Sequence, residues 1–413
     1  MVDISIDVAG VKFDNPLFAA SGAETSFGEK IKKMALEGKP GGIVTKSVSV
    51  DTGQNWGRGA KQPTPGCWPW TTGKGRLGMT VTCSRGEPYN CDTWFETHMP
   101  VGREGGVPII PSVSGSHNLA EWAYLASKFE QAGAAMIELN FGTPHAGTWE
   151  HGAVHFYSGR GVEILKHLKK LVKIPLMPKL PYMSNGPELV EYGKRLVDAG
   201  ADAFKVCMPA QGMTIDIETG IPPIGIGSRS GIVPGPPHKP RAMYNVFTLA
   251  SAVKIPIIGS GGVCDGKDVI EYIMAGASGV EICTWLLIKG PKLFHQINKE
   301  IKKWMQAKGH SKIEDFRGVS LKYAGIEEYH DEPYSAVVNK EKCTGCGQCE
   351  TICTWLCQPT LPAAIQVDKK SKKAVVNLKK CIGCGYCFSH CPSQAITLDG
   401  WGKRQSLEDR ARA

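Results

Sequence analysis

The chain has 413 residues, enough for two or three domains, and its 42% hydrophobic and 21% charged residues are typical of a folded soluble protein. No apolar run reaches the ~20 residues of a membrane helix, and the N-terminus "MVDISIDVAG" does not resemble a signal peptide, so we expect a cytoplasmic protein. The formal net charge of +9 does not predict nucleic-acid binding, because the basic residues are spread along predicted helices.

A strand-then-helix rhythm repeats from Asn15 to Lys308. Most of the candidate strands are short apolar runs, as expected for strands buried on both faces of a parallel sheet. They are Pro16–Ala20, Gly42–Lys46, Pro108–Val113, Ala135–Asn140, Pro175–Leu180, Ala203–Cys207, Pro256–Ser260 and Val280–Thr284. Amphipathic segments such as "NLAEWAYLASKFEQAG" lie between them. Eight such units favour a (β/α)8 TIM barrel over an open doubly wound sheet.

Barrel ligands lie at the C-terminal ends of the strands. Two of these ends carry lysines, Lys46 and Lys179. Each could be a surface side chain that reaches solvent. Two ammonium groups at one barrel mouth would also suit a flavin, whose ring becomes anionic when it accepts a hydride.

A long insert follows the second strand, "DTGQNWGRGAKQPTPGCWPWTTGKGRLGMTVTCSRGEPYNCDTW". It contains four tryptophans and the cysteines Cys67, Cys83 and Cys91. Loops of this length are uncommon unless they have a function. An aromatic lid over an apolar or planar substrate and a packing or subunit-contact loop remain equal alternatives.

The fourth strand runs through "IELNFGTPHAG", Ile137 to Gly147. Glu138 and Asn140 are two residues apart and therefore share one face of the strand. A polar pair within an apolar run is unfavourable unless each group has a partner. The pair therefore indicates a polar site at this strand end.

The seventh strand ends in "PIIGSGGV", Pro256 to Val263. Ser260, Gly261 and Gly262 would let backbone N–H groups approach an anion, assisted by the dipole of the next helix. Phosphate groups often bind after strands seven and eight of a barrel. A plain turn between strand and helix is the alternative.

Two cysteine motifs with the spacing C-x2-C-x2-C-x3-C follow a polar linker. Their cysteines are Cys343, Cys346, Cys349 and Cys353, and then Cys381, Cys384, Cys387 and Cys391. This is the bacterial two-cluster ferredoxin pattern, in which the fourth cysteine of each motif binds the other [4Fe–4S] cluster. Cys357 is an alternative to Cys353. We expect a barrel at 1–310, a linker at 311–335, a ferredoxin-like domain at 336–400 and a polar tail at 401–413.

The ordered segments "GVKFDNPLFAASG", "GGIVTKS", "IELNFGTPH", "PLMPKL", "PIIGSGGV" and "VEICT" resemble the dihydroorotate and dihydropyrimidine dehydrogenases. The resemblance implies FMN at the barrel mouth. It implies flavin or substrate contacts from Ala20, Ser21, Gly22, Lys46, Ser47, Asn140 and Lys179, and phosphate contacts from Gly235, Gly261, Gly262, Cys283 and Thr284. Dimeric relatives make a homodimer an open option.

Three positions differ from those relatives. Thr143 stands where they carry a cysteine or serine acid/base, and Met208 and Pro209 replace an Asn-Thr pair that binds the pyrimidine. An apolar side chain and a proline cannot replace the donor and acceptor of an amide. His145 is a second candidate for proton transfer, because histidine titrates near neutral pH. Lys46 and Asn140 complete the candidate catalytic set.

We therefore expect an FMN- and iron–sulfur-dependent oxidoreductase that acts on a carbonyl-activated C=C bond of a small molecule. Its two clusters would exchange electrons with a ferredoxin or with an NAD(P)H-oxidising flavoprotein subunit. A dihydropyrimidine dehydrogenase linked to NAD through a partner subunit is the alternative within this class. An electron-transfer subunit, in which FMN and the clusters only relay electrons, is the alternative of another class.

Overall fold

The computed structural model describes residues 2–50, 67–72, 75–81, 91–115, 118–142, 159–223, 231–325, 335–356 and 363–399. The chain divides into two compact units, Met1–Ala324 and Gly325–Ala413. Residues 311–324, which begin the predicted linker, belong to the first unit, where Ile313 and Phe316 are buried. No helix within the described ranges has the length and apolar character needed to cross a membrane.

The strands of the first unit build its barrel and two small accessory sheets. They are β1 (Ile6–Val8), β2 (Val11–Phe13), β3 (Leu17–Ala19), β4 (Gly42–Val44), β5 (Cys67–Thr72), β6 (Gly75–Val81), β7 (Ile109–Ile110), β8 (Ser112–Val113), β9 (Ile137–Asn140), β10 (Leu176–Lys179), β11 (Phe204–Val206), β12 (Gln211–Gly212), β13 (Gly231–Ile232), β14 (Ile257–Ser260) and β15 (Gly279–Ile282). The parallel barrel follows the order β7-β4-β3-β15-β14-β11-β10-β9-β8.

The third predicted strand is divided at Pro111. Its first half, β7, pairs with β4, and its second half, β8, pairs with β9. A proline cannot donate to a sheet ladder, so a change of partner at this residue leaves no lost hydrogen bond. The two halves together occupy one barrel position, and each predicted strand has a counterpart in the ring. The predicted (β/α)8 barrel is confirmed.

Helices cover the outside of the barrel. They are Gly28–Gly38, Cys91–Thr93, Met99–Arg103, Leu119–Gln131, Arg160–Leu168, Gly186–Asp198, Lys239–Ala252, Gly266–Met274, Thr284–Lys289 and Leu293–Lys308, with a π-helical turn at Trp94–His98 and 3-10 turns at Ala23–Thr25, Pro236–His238, Ile313–Asp315 and Leu321–Tyr323. Asn118, Asn185 and Asp265 cap three of these helices with their side chains. Such caps satisfy N–H groups that have no partner within the helix.

Part of the long insert forms an accessory sheet. The hairpin β5–β6 pairs through Val81 with Ile232 of β13, and β13 pairs with β12, all antiparallel. The last residue of the insert, Trp94, is fully buried against the barrel core. This part of the insert is therefore joined to the segment that follows the sixth barrel strand.

The second unit is small and built around cysteines. Its strands are β16 (Ser335–Val338), β17 (Ile365–Val367), β18 (Ala374–Val376) and β19 (Ile396–Asp399), and its helices are Gln348–Leu356 and Tyr386–Ser389. Two antiparallel pairs form, β16 with β19 and β17 with β18. Cys343, Cys349 and Cys387 lie in its buried core beside Ile365 and Ile396.

Candidate active site

A cavity of about 650 Å³, open to solvent, lies at the C-terminal ends of the barrel strands. Eight predicted cofactor-binding residues line it: Ala20, Ser21, Lys179, Gly235, Gly261, Gly262, Cys283 and Thr284. The fold therefore brings together residues that are up to 264 positions apart in sequence.

The loop after β14 forms one side of the cavity. Gly261 has φ +134° and Gly262 has φ +69°. A Cβ atom on Gly262 would lie 2.8 Å from the Gly235 carbonyl oxygen, and one on Gly261 would lie 2.5 Å from the His238 ring. Only glycine fits both the dihedral angles and the space. Helix Gly266–Met274 begins four residues further on, capped by Asp265, so the loop suits a phosphate group.

Both members of the predicted pair on β9 have hydrogen-bond partners. Asn140 Nδ2 donates to Ser47 Oγ at 2.8 Å, and Ser47 Oγ lies 2.9 Å from Ser112 Oγ. Ser112 Oγ donates to Glu138 Oε1 at 2.7 Å. Because Ser112 has one hydroxyl proton, Ser47 must donate to Ser112, so the four side chains form one directed chain. Glu138 also lies 3.4 Å from the ammonium of Lys179.

Lys205 and Glu281 form a second buried ion pair that the sequence prediction missed. Lys205 Nζ lies 3.4 Å from Glu281 Oε2, and both side chains are at most 4% exposed. Both residues line the cavity. The sequence did contain a pattern that could have predicted these two residues. Each is a charged residue within an apolar strand, in "AFKVCM" and "GVEICT", and the same pattern pointed to Glu138.

Burial affects the pKa of three of these residues, Lys179, Lys205 and Glu281. Desolvation lowers the pKa of Lys179, whereas Glu281 and Glu138 outweigh desolvation and raise the pKa of Lys205. Burial raises the pKa of Glu281 to about 7, although Lys205 opposes the shift. Charges enclosed in a low-dielectric interior are tolerated only when opposite charges lie close by.

A buried histidine and cysteine meet behind the cavity. Cys207 Sγ lies 3.7 Å from His238 Nε2. Burial, together with Lys205 and Arg241, lowers the pKa of His238 to about 4, and burial raises the pKa of Cys207 to about 12. Both groups are therefore neutral near pH 7, which makes Cys207 a poor nucleophile.

Glu24, on the loop after the first barrel strand, carries a buried carboxyl group that the sequence analysis did not predict as part of the site. Both carboxyl oxygens of Glu24 are shielded from solvent, and the thiol of Cys283 is close enough to interact with them. The side chain lies against Gly22: a Cβ atom added to Gly22 would be only 2.5 Å from Glu24 Oε2. Burial raises the pKa of Glu24, while interactions with its own backbone N–H and with Cys283 lower it. The protonated form of this carboxyl group is therefore favoured by its burial.

The remaining predicted residues divide into two groups. Gly22, Lys46, Ser47 and Asn140 are at the barrel mouth but are not among the cavity-lining residues, and Lys46 N donates to Thr25 O at 3.0 Å. Thr143 and His145, the candidate acid/base residues, lie outside the described residues, as does Cys357.

The cysteines of the second unit surround a cavity. Four cysteines line it: Cys343, Cys346 and Cys349 of the first motif and Cys391 of the second. Within the described ranges, no three metal-binding side chains lie close enough together to bind one single metal ion. Backbone N–H groups donate to four of the eight sulfurs: Ala374 to Cys343, Ala364 to Cys353, Ala336 to Cys381 and Ala395 to Cys391. Such hydrogen bonds tune iron–sulfur clusters.

A TIM barrel with a glycine-lined anion site and buried lysines, joined to a cysteine module, defines the class of flavin-dependent iron–sulfur oxidoreductases. Residues 3–305 match the family "Dihydroorotate dehydrogenase", and residues 336–355 and 374–397 match "4Fe-4S binding domain". The chain belongs to the dihydroorotate dehydrogenase family. It is an oxidoreductase that acts on CH–CH groups.

Similar curated proteins are named "Dihydroorotate dehydrogenase B (NAD(+)), catalytic subunit". The one from Pyrococcus furiosus is 29% identical over 331 residues, covering 78% of this chain and 100% of its own length. The protein from Thermoplasma volcanium is 31% identical over 333 residues, with coverage of 78% and 100%. The protein from Petrotoga mobilis is 30% identical over 329 residues, with coverage of 77% and 100%.

Proposed function

We propose that this chain is an FMN- and iron–sulfur-dependent oxidoreductase acting on a carbonyl-activated C=C bond. The observation that carries the proposal is the strand-end cavity, which combines a glycine cradle with buried ammonium groups in a member of this family. FMN, when bound, would accept or donate a hydride at its N5 atom.

The two sides of the cavity suit the two ends of FMN. Gly235, Gly261, Gly262, Cys283 and Thr284 would hold its phosphate, since a Cβ atom on Gly262 would fill the cradle. Ala20, Ser21 and Lys179 line the cavity and would hold the ring, and Gly22, Lys46 and Ser47 are further proposed contacts to it. The ammonium of Lys179 would stabilise negative charge on the ring.

Asn140 is the proposed contact to the ring or substrate from β9. Its amide is oriented by donation to Ser47, and the chain through Ser112 to Glu138 fixes that orientation. Thr143 and His145, which follow in the sequence, remain the proposed proton-transfer residues. The carboxyl group of Glu24 is a third proton source to compare with them.

The cavity walls favour a substrate that is less polar than a pyrimidine. Met208 and Pro209 line the cavity at the end of β11, next to Ile232, Pro234 and Val263. A site built to bind amide-like groups needs paired donors and acceptors, and losing each pair costs ~1–3 kcal/mol. We propose a cyclic enone or an acyl thioester. A dihydropyrimidine is the second candidate, supported by the names of the relatives.

The cysteine module would carry electrons one at a time. We propose two [4Fe–4S] clusters with exchanged fourth ligands: Cys343, Cys346, Cys349 and Cys391 for one, and Cys381, Cys384, Cys387 and Cys353 for the other. The first set lines one cavity of this unit, which supports the exchange. The relatives are named catalytic subunits, so we propose a ferredoxin or an NAD(P)H-oxidising flavoprotein subunit as partner, in the cytoplasm.

The test is anaerobic photoreduction of the purified protein, followed by a screen for compounds that reoxidise the flavin. We expect enoyl thioesters or cyclic enones to reoxidise it faster than uracil or orotate. Faster reoxidation by uracil or orotate would favour the pyrimidine alternative. Reoxidation by ferredoxin alone would show that the chain only relays electrons.

A further inference from the structure

Lys205 and Glu281 face each other across the barrel interior. Lys205 is on β11 and Glu281 is on β15, with β14 between them in the sheet. Their charged atoms are 3.4 Å apart, and both residues line the cavity at the barrel mouth. The pair is therefore buried from solvent but borders the space available to a ligand.

Four charged groups share this interior. Lys179 on β10 and Glu138 on β9 form the other pair, at 3.4 Å. The neighbouring strands β3 and β14 contribute no charged residue. When all four groups are ionised, the two ammonium groups and the two carboxylates cancel, so a ligand that gains negative charge at this site would change the electrostatic balance among them.

The two pairs differ in their hydrogen bonds. Glu138 accepts from Ser112 through Oε1, and only its Oε2 lacks a well-aligned donor, whereas both oxygens of Glu281 lack one among the residues described. A buried pair with a purely structural role is expected to have its lone pairs satisfied by further hydrogen bonds. The Lys205–Glu281 pair lacks these further hydrogen bonds and lies beside a cavity. The ammonium group of Lys205 therefore remains available to interact with a ligand.

We propose that Lys205 binds the electron-rich ring of reduced flavin and sets how strongly the site prefers reduced over oxidised FMN, with Glu281 as the residue that positions it. The inference rests on the proposed FMN site. Lys205 favours the reduced cofactor, because an ammonium in a low-dielectric site stabilises added negative charge. Glu281 limits this preference by partly neutralising the ammonium.

The test is the midpoint potential of bound FMN in the holoenzyme, measured by anaerobic dye equilibration without substrate. Lys205→Met is expected to weaken binding of reduced relative to oxidised FMN about tenfold, which lowers the potential by about 30 mV. Glu281→Gln is expected to shift the potential in the opposite direction. The double variant Lys205→Met/Glu281→Gln is expected to lie close to wild type, because both charges are removed.

Lys169→Met is the matched control, since Lys169 pairs with Asp202 at 2.9 Å and does not line the cavity. It should leave the potential unchanged. If Lys205→Met does not fold, comparing Glu281→Gln with the double variant still isolates the lysine. Variants that change the melting temperature but not the potential would overturn the inference and leave a structural ion pair. A wild-type chain that binds no FMN would contradict the proposed function itself.

Discussion

At the scale of residues, the site depends on polar side chains held inside apolar strands. Glu138, Lys179, Lys205 and Glu281 are each at most 4% exposed. Such residues reduce stability unless they are paired, so their presence indicates a role that apolar residues could not perform. The same reasoning applies to His238, which is buried beside Cys207 at the back of the cavity.

His238 should make the protein sensitive to acid. Its pKa is about 4 in the folded chain against a usual value of 6.5, because burial disfavours its charged form. As the pH falls below 6.5, the histidine is protonated in the unfolded chain but stays neutral in the folded chain. The free energy of unfolding therefore decreases until the pH reaches about 4, where the folded chain is protonated as well. The total loss is about 3 kcal/mol. His238→Gln should therefore lose less stability than wild type between pH 7 and pH 5 in urea denaturation.

His167→Gln, on helix Arg160–Leu168, is the matched control and should keep the wild-type dependence on pH. An equal loss of stability in wild type and in His238→Gln would show that His238 does not titrate in this way.

At the scale of elements, the loop between β14 and helix Gly266–Met274 decides whether a phosphate can approach the backbone. Tyr272 Oη donates to the Gly261 carbonyl at 2.8 Å and ties the loop to its own helix. Asp265 accepts from the N–H groups of Lys267 and Asp268 and fixes where the helix begins. The loop is therefore rigid before any ligand binds, which reduces the entropy lost on binding.

Gly262→Ala tests this loop. The new Cβ atom would lie 2.7 Å from Lys239 Cβ and 2.8 Å from the Gly235 carbonyl oxygen, at a φ of +69°. We expect the free energy of unfolding to fall by about 1–3 kcal/mol, as for other overpacked sites, and FMN to bind less tightly. The measurements are thermal denaturation and the flavin-to-protein ratio after gel filtration.

Gly309→Ala is the control, because Gly309 has a similar φ of +76° but no atom within 4 Å of a new Cβ. It should show only the effect of the backbone dihedral and retain the flavin. Equal flavin retention in both variants would contradict a phosphate site at Gly262.

At the scale of the whole molecule, the chain combines two compact units with different chemistry. The barrel unit has a large apolar core, whereas the second unit has a small core in which cysteines take the place of hydrophobic residues. A small apolar core supplies little hydrophobic stabilisation, and metal centres are one way in which small domains compensate for this. The proposed clusters would therefore contribute to its folding as well as to electron transfer.

Cys391→Ala tests the exchange of ligands between the two motifs. Cys391 lines the cavity with the three cysteines of the first motif, so its loss should remove the cluster of that motif. Iron content should fall from about eight to about four atoms per chain, while flavin content in the barrel should not change. Iron analysis and electron paramagnetic resonance are the measurements.

Cys264→Ala, in the barrel unit, is the control and should retain all the iron. A Cys391→Ala variant that keeps the full iron content would exclude this residue as a ligand.

The amino-acid sequence by itself predicted the fold class and the two cysteine motifs, whereas FMN was predicted from the resemblance to a family. Strand and helix periodicity and cysteine spacing are local patterns, and the eight barrel strands and the four-cysteine motifs needed nothing else to be recognised. The glycine loop after the seventh strand was found in the same way. These features follow from backbone geometry and ligand spacing over a few residues.

Only the tertiary structure decided which charged groups meet. Lys205 and Glu281 are 76 positions apart, and nothing in either segment specifies the other as its partner. Ser112 likewise completes the chain from Asn140 to Glu138 only because β8 pairs with β9. Electrostatic interactions depend on distance and local dielectric rather than on sequence separation, so barrel closure was needed to bring these residues together.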